Sequence, residues 1–145
     1  IFNDLFGGQP LSKLFVNVRE KASLAYYASS SYDSFRGFLS VKTGIEAKNK
    51  DKVLQIVNQQ LEELRNENFT EKEVETAKSY LSQLDHQGVL LSRALFNGLL
   101  NKELQENEWI EKIKSVTTAD IAAVAGKAHL EAVSFLDGEV KNENN

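Results

Sequence analysis

A double glycine followed by an apolar stripe constrains this chain more than any other feature. Gly7-Gly8 can accept positive φ, Pro10 stands at the start of a helical pattern, and Leu11, Leu14, Phe15 and Val18 recur at the i, i+3, i+4, i+7 spacing of one helix face. The spacing predicts an amphipathic helix over about Leu11 to Ala22. Its last turns carry Arg19-Glu20-Lys21, after which the pattern changes to the β-favouring Tyr26-Tyr27. An arginine near a helix end is therefore followed by tyrosines at the start of an expected strand.

Ile1 to Phe6 reads as a short helix leading into the glycine break. Leu24 to Tyr32 reads as a strand, Asp33-Ser34-Phe35-Arg36-Gly37 as a turn, and Phe38 to Ala47 as the return strand. On that return strand Leu39, Val41, Thr43 and Ile45 share one face, and Phe38, Ser40 and Lys42 the other. Val53, Ile56, Val57, Leu61 and Leu64 mark a helix from about Lys50 to Asn66, and Asn68-Phe69 interrupts it. Thr70 and Glu73 then have the capping-box spacing ahead of Val74, Ala77, Leu81 and Leu84. His86-Gln87-Gly88 is read as a break, and Val89 to Leu104 as a helix covered on more than one side. Asn107 is the expected cap of a short helix carrying Trp109, Ile110 and Ile113. Thr117 with Asp120 signals another helix, carrying Ile121, Val124, Ala125 and Ala128. Glu131 to Leu136 fits a final strand, Asp137-Gly138 a turn, and 139–145 a polar tail.

This order predicts an α+β fold, a mostly antiparallel sheet covered on one face by helices. At 145 residues the expectation is a single domain over 1–138 with a tail at 139–145. Hydrophobic residues make up 41% and charged residues 26%, with a net charge of -4, so neither disorder nor a nucleic-acid partner is expected. The chain has no cysteine, which excludes disulfides and thiolate metal sites and is compatible with a reducing, cytoplasmic location. No apolar run reaches the roughly 18 residues of a membrane span, and no membrane partner is expected. The start at Ile1 rather than Met leads us to expect a fragment of a longer protein.

Few residues offer chemistry. His86 and His129 lie far apart, and each reads equally as a capping or solvated ring. Ser29-Ser30-Ser31 lacks a partner base, and Gly7-Gly8 lacks the phosphate-loop patterns. Arg19 and Tyr26 are sharper candidates. A guanidinium and a phenol could together hold a peptide carbonyl and steady a developing oxyanion. The plainer alternative is an Arg19 paired with Glu20 or Glu46 and a Tyr26 packed at a strand start.

The stretch resembles the opening of the C-terminal-type domain of the insulinase/pitrilysin zinc metallopeptidases, which include mitochondrial processing peptidase. There a Gly-Gly, a Ser-Arg-Leu-Phe-like turn and Leu-Arg-Glu-Lys-x-x-Leu-Ala-Tyr follow in order. Here the series is Gly7-Gly8, Ser12-Lys13-Leu14-Phe15 and Val18-Arg19-Glu20-Lys21-Ala22-Ser23-Leu24-Ala25-Tyr26. The resemblance implies a metallohydrolase-like domain of this type, with another strand upstream of Ile1. It also implies that Arg19 and Tyr26 face a peptide substrate as auxiliary catalytic residues. The His-x-x-Glu-His motif that such enzymes need is missing, so no cofactor is expected on this chain. Zinc is expected on a related partner domain or subunit, and the chain alone is expected to be inactive. The alternative is an inactive scaffold or partner-interaction domain of the same fold.

Overall fold

The computed structural model describes residues 1–84 and 106–136. The expected helix over 89–104, His86, the 137–138 turn and the tail lie outside the described residues. Helical structure begins at Phe2 and runs as a π-type turn over Asp4–Gly8. The glycines thus belong to the helical turn and do not break it, and neither has positive φ; Gly37 is the one described glycine that does. What Gly7 supplies instead is closeness. A Cβ there would stand 2.7 Å from the Ser30 backbone nitrogen and 2.9 Å from a Leu14 methyl.

The second helical stretch also starts later than the spacing predicts. Pro10 and Leu11 form an exposed turn, and the wide π-helical winding occupies Phe15–Lys21. Leu14 and Val18 are fully buried, whereas Leu11 is left in solvent. The apolar stripe is therefore shorter than the spacing implied, because the chain is still turning at Leu11.

Two strands follow, β1 (Ala25–Asp33) and β2 (Phe38–Ile45), paired antiparallel in the expected hairpin. The Asp33 carboxylate accepts from the amides of Phe35 and Arg36 at 3.0 and 2.9 Å, and Gly37 at φ 72° completes the turn. Ala28 and Ser30 point into the core, and Leu39, Val41 and Ile45 of β2 pack beside them. Tyr27, Ser29 and Ser31 face out. The sheet is thus covered on one face by helices, as expected.

The two π-wound stretches lie against β1, and the helices α1 (Lys50–Arg65), α2 (Glu71–Leu84), α3 (Glu106–Ser115) and α4 (Thr118–Lys127) pack around them, α1 and α2 against those stretches, α4 against α1 and α3 against α2. Val53 and Leu64 of α1, Val74 and Ala77 of α2, and Ile121 and Ala125 of α4 join Leu5, Phe6, Leu14 and Val18 in one core. Both capping boxes form. The Glu73 amide donates to the Thr70 hydroxyl at 3.2 Å while the Thr70 amide donates to the Glu73 carboxylate at 2.7 Å, and Thr117 with Asp120 repeats the exchange. Asn107 is not a cap, since it lies within α3, after Glu106.

The expected final strand is absent. Residues Glu131 to Leu136 are all exposed and make no ladder, and the sheet among the described residues has two strands only. Alternating apolar side chains favour extension, but a strand also needs an edge to pair with. Among the described residues this segment pairs with neither β1 nor β2.

Candidate functional site

Arg19 occupies the last turn of the π-helical stretch, with its guanidinium carbon 4.7 Å above the Phe15 ring centroid. This stacking steadies the side chain while leaving its donors to solvent. Ser23 then takes a left-handed conformation at φ 51°, and the Leu24 amide donates back to the Val18 carbonyl at 3.1 Å. That reversal ends the helix and delivers the chain to β1. In β1, Ala25 stands opposite Ile45 but Tyr27 stands opposite Gly44, so Tyr26 is the extra residue of a bulge. Its side chain is 74% exposed.

Among the described residues Arg19 makes no ion pair and Tyr26 makes no hydrogen bond, and no bond links the two. The plainer sequence reading is not realised either. Glu46 pairs with Lys48 at 2.6 Å and not with Arg19. The Glu46 carboxylate, by hydrogen bond and then by charge, raises the Lys48 pKa, with a small contribution from Tyr26. Both candidate residues therefore lie at the surface with donors unused, held by a helix end on one side and a bulge on the other.

The remaining candidates are structural or solvated. Ser30 donates to the Asn3 side-chain oxygen at 2.8 Å, tying β1 to the first helical turn, and the Ser31 and Ser40 hydroxyls meet across the hairpin at 2.9 Å. His129 is exposed, with Nε2 2.5 Å from Glu131. Among the described residues no three His, Cys, Asp or Glu side chains converge as metal ligands. The described residues do not offer the donor set that zinc needs.

The structure also shows two tethers that the sequence did not signal. The buried Lys13 ammonium reaches the Asn68 carbonyl at 3.0 Å, Glu63 at 3.3 Å and Glu73 at 3.6 Å. Lys13 thereby pins the start of the Arg19-bearing helix to the α1–α2 turn. Arg65 donates to the Ala125 carbonyl at 3.1 Å and to that of Ala128, capping the end of α4 from α1. No local pattern reveals either contact, because the partners lie 50 or more positions away.

Comparison with known proteins adds to this geometry. Residues 1–81 match the family described as "Peptidase M16 inactive domain". The chain is 36% identical to a probable inactive metalloprotease of Bacillus subtilis over 95% of its own length and 34% of that protein's. It is 30% identical to an uncharacterized zinc protease of Streptomyces coelicolor, covering 86% of this chain and 29% of that one. The chain thus spans about a third of the length of the curated relatives it matches. Among solved structures, a conserved protein from Enterococcus faecalis V583 superposes with a TM-score of 0.81 at 44% identity, covering 86% of this chain and 31% of that one. An M16 inactive domain from Pseudomonas fluorescens shares the fold, with a TM-score of 0.76 at 22% identity over 89% of this chain and 32% of its own.

Proposed function

Because the chain belongs to the peptidase M16 family and matches its inactive-domain type, we propose that it is a non-catalytic domain whose exposed face meets another domain or subunit of a longer assembly. The observation that carries this reading is the pair of unused donors at the surface, the Arg19 guanidinium and the Tyr26 phenol. Exposed donors on rigid elements suit a partner's carbonyl or carboxylate oxygens. The likeness to a relative named as an inactive metalloprotease supports a scaffold role over a cleaving one. The cytoplasm is the proposed location, on the cysteine-free composition.

A second reading is favoured by the same pair. In an assembly whose other part carries the zinc, the face would meet a peptide, and Arg19 and Tyr26 would bind its carbonyl. Removing one donor would then lower turnover about a hundredfold or more, the usual loss for an oxyanion donor. Arg19→Lys would be nearly as harmful as Arg19→Ala, since the planar fork is lost.

Sedimentation velocity on the full-length protein with its partner separates these readings, together with a peptide-cleavage assay. Arg19→Glu with Tyr26→Asp is expected to weaken the assembly while thermal unfolding stays near that of the parent. An assembly unchanged by both substitutions overturns the scaffold reading. Cleavage that is present in the parent and lost in Tyr26→Phe, with assembly intact, establishes the peptide-facing one.

A further inference from the structure

Tyr26 is exposed against the pleat of its own strand. Side chains alternate along β1, so Ala28 and Ser30, both buried, predict that Tyr26 should also face the core. It does not, because the bulge between Ala25 and Tyr27 takes it out of the alternation. The last regular rung before the bulge is Tyr27 opposite Gly44. There the Tyr27 ring lies where a side chain on Gly44 would be. A Cβ at Gly44 would fall 2.4 Å from one ring carbon, 2.8 Å from the next and 3.2 Å from a third. The glycine is at ordinary negative φ, so its use is the space it leaves and not its backbone freedom.

We propose that Gly44 is a positioning residue: by seating the Tyr27 ring it locks the last regular rung and fixes where β1 bulges, which aims Tyr26 outward. The inference rests on the reading of Tyr26 as a contact residue. An aromatic ring laid across a facing glycine excludes water from the ladder and pins register. Register matters here because of what the unbulged pairing does. Continuing the ladder by one more rung places Tyr26 opposite Ile45, on the side of Ala28 and Ser30, and withdraws its phenol from the surface. Tyr27 is half exposed, so a methyl at Gly44 displaces the ring toward solvent without breaking the core.

Residue-resolved nitration of the full-length protein, mapped by mass spectrometry, reads the position of Tyr26 directly. The exposed Tyr32 at the far end of the same strand serves as the internal control. Gly44→Ala and Tyr27→Ala are each expected to slow nitration of Tyr26 several-fold relative to Tyr32. The Gly44→Ala/Tyr27→Ala double variant is expected to be no worse than either single one, since both act through one contact. Tyr27→Phe keeps the ring on Gly44 and is expected to behave as the parent. General loosening of the hairpin would alter both tyrosines together. An unchanged Tyr26/Tyr32 ratio in Gly44→Ala and Tyr27→Ala overturns the proposal. Partner binding, measured alongside on Tyr26→Ala, tests the contact role separately. If Tyr26→Ala binds as the parent does while the nitration pattern shifts as expected, the contact reading fails and the positioning by Gly44 stands.

Discussion

Gly7 shows how much a single residue can carry when two elements meet at backbone distance. The amide and hydroxyl of Ser30 stand on one side of it and Leu14 on the other. Gly7→Ala must therefore push β1 away from the first helical turn and loosen the Ser30–Asn3 bond. The expected cost is roughly 1–3 kcal/mol, the usual range for an overpacked interior. A thermal unfolding curve lowered by several degrees is the expected result, and an unchanged curve would show that the turn yields freely. Arg19 and Tyr26 are the opposite case. Their side chains bury little, so Tyr26→Phe is expected to leave the unfolding temperature nearly unchanged while any binding role is lost. Comparing the two residues by the same melting measurement distinguishes packing from presentation.

At the scale of elements, the start of α2 combines a cap with a tether. Burial on its own pushes the Glu73 carboxyl upward, but the Thr70 amide and hydroxyl and the Lys13 ammonium outweigh it and hold it below the usual glutamate value. A depressed folded-state pKa means the ionised form is the one that stabilises. Its contribution is present above the unfolded value and is lost as the pH falls through the folded one. Asp120 behaves alike, held low by the Thr117 hydroxyl and then its amide. Stability is therefore expected to fall on acidification below the ordinary carboxylate range. Glu73→Gln should be less stable than the parent near neutrality and flatten part of that acid limb. Equal slopes in parent and variant, from unfolding midpoints measured between neutral and acid pH, would remove Glu73 from the explanation.

At the scale of the whole molecule, the described surface is unfinished at one place. Leu130, Val133, Phe135 and Leu136 are all exposed on a segment without a ladder among the described residues, where the Lys50 ammonium lies 3.9 Å from the Phe135 ring. Extended apolar segments of this kind pair with one another when no edge is offered. The 145-residue chain by itself is expected to associate as its concentration rises, and Val133→Lys with Phe135→Lys to reduce that association. Sedimentation at several concentrations checks this, and a parent that stays monomeric throughout would count against the segment as a sticky one.

Local signals were sufficient wherever the physics is local. Thr70–Glu73 and Thr117–Asp120 mark helix starts because each exchange closes within three residues, and the Asp33 turn is readable for the same reason. The hairpin and the apolar faces of α1 and α2 follow from periodicity, and the stretch from Gly7 to Tyr26 carried the family resemblance. What the tertiary structure alone decided involves partners distant in sequence. Nothing local marks Lys13 for burial, and only the fold brings Glu63, Asn68 and Glu73 around it. Gly7 and Gly8 read as flexible until close approach shows why small residues are needed. Tyr26 is a candidate contact residue from the sequence, but the bulge that turns it outward is visible only in the fold, and Glu131 to Leu136 reads as a strand until its lack of a ladder with β1 or β2 shows that pairing is a property of two segments.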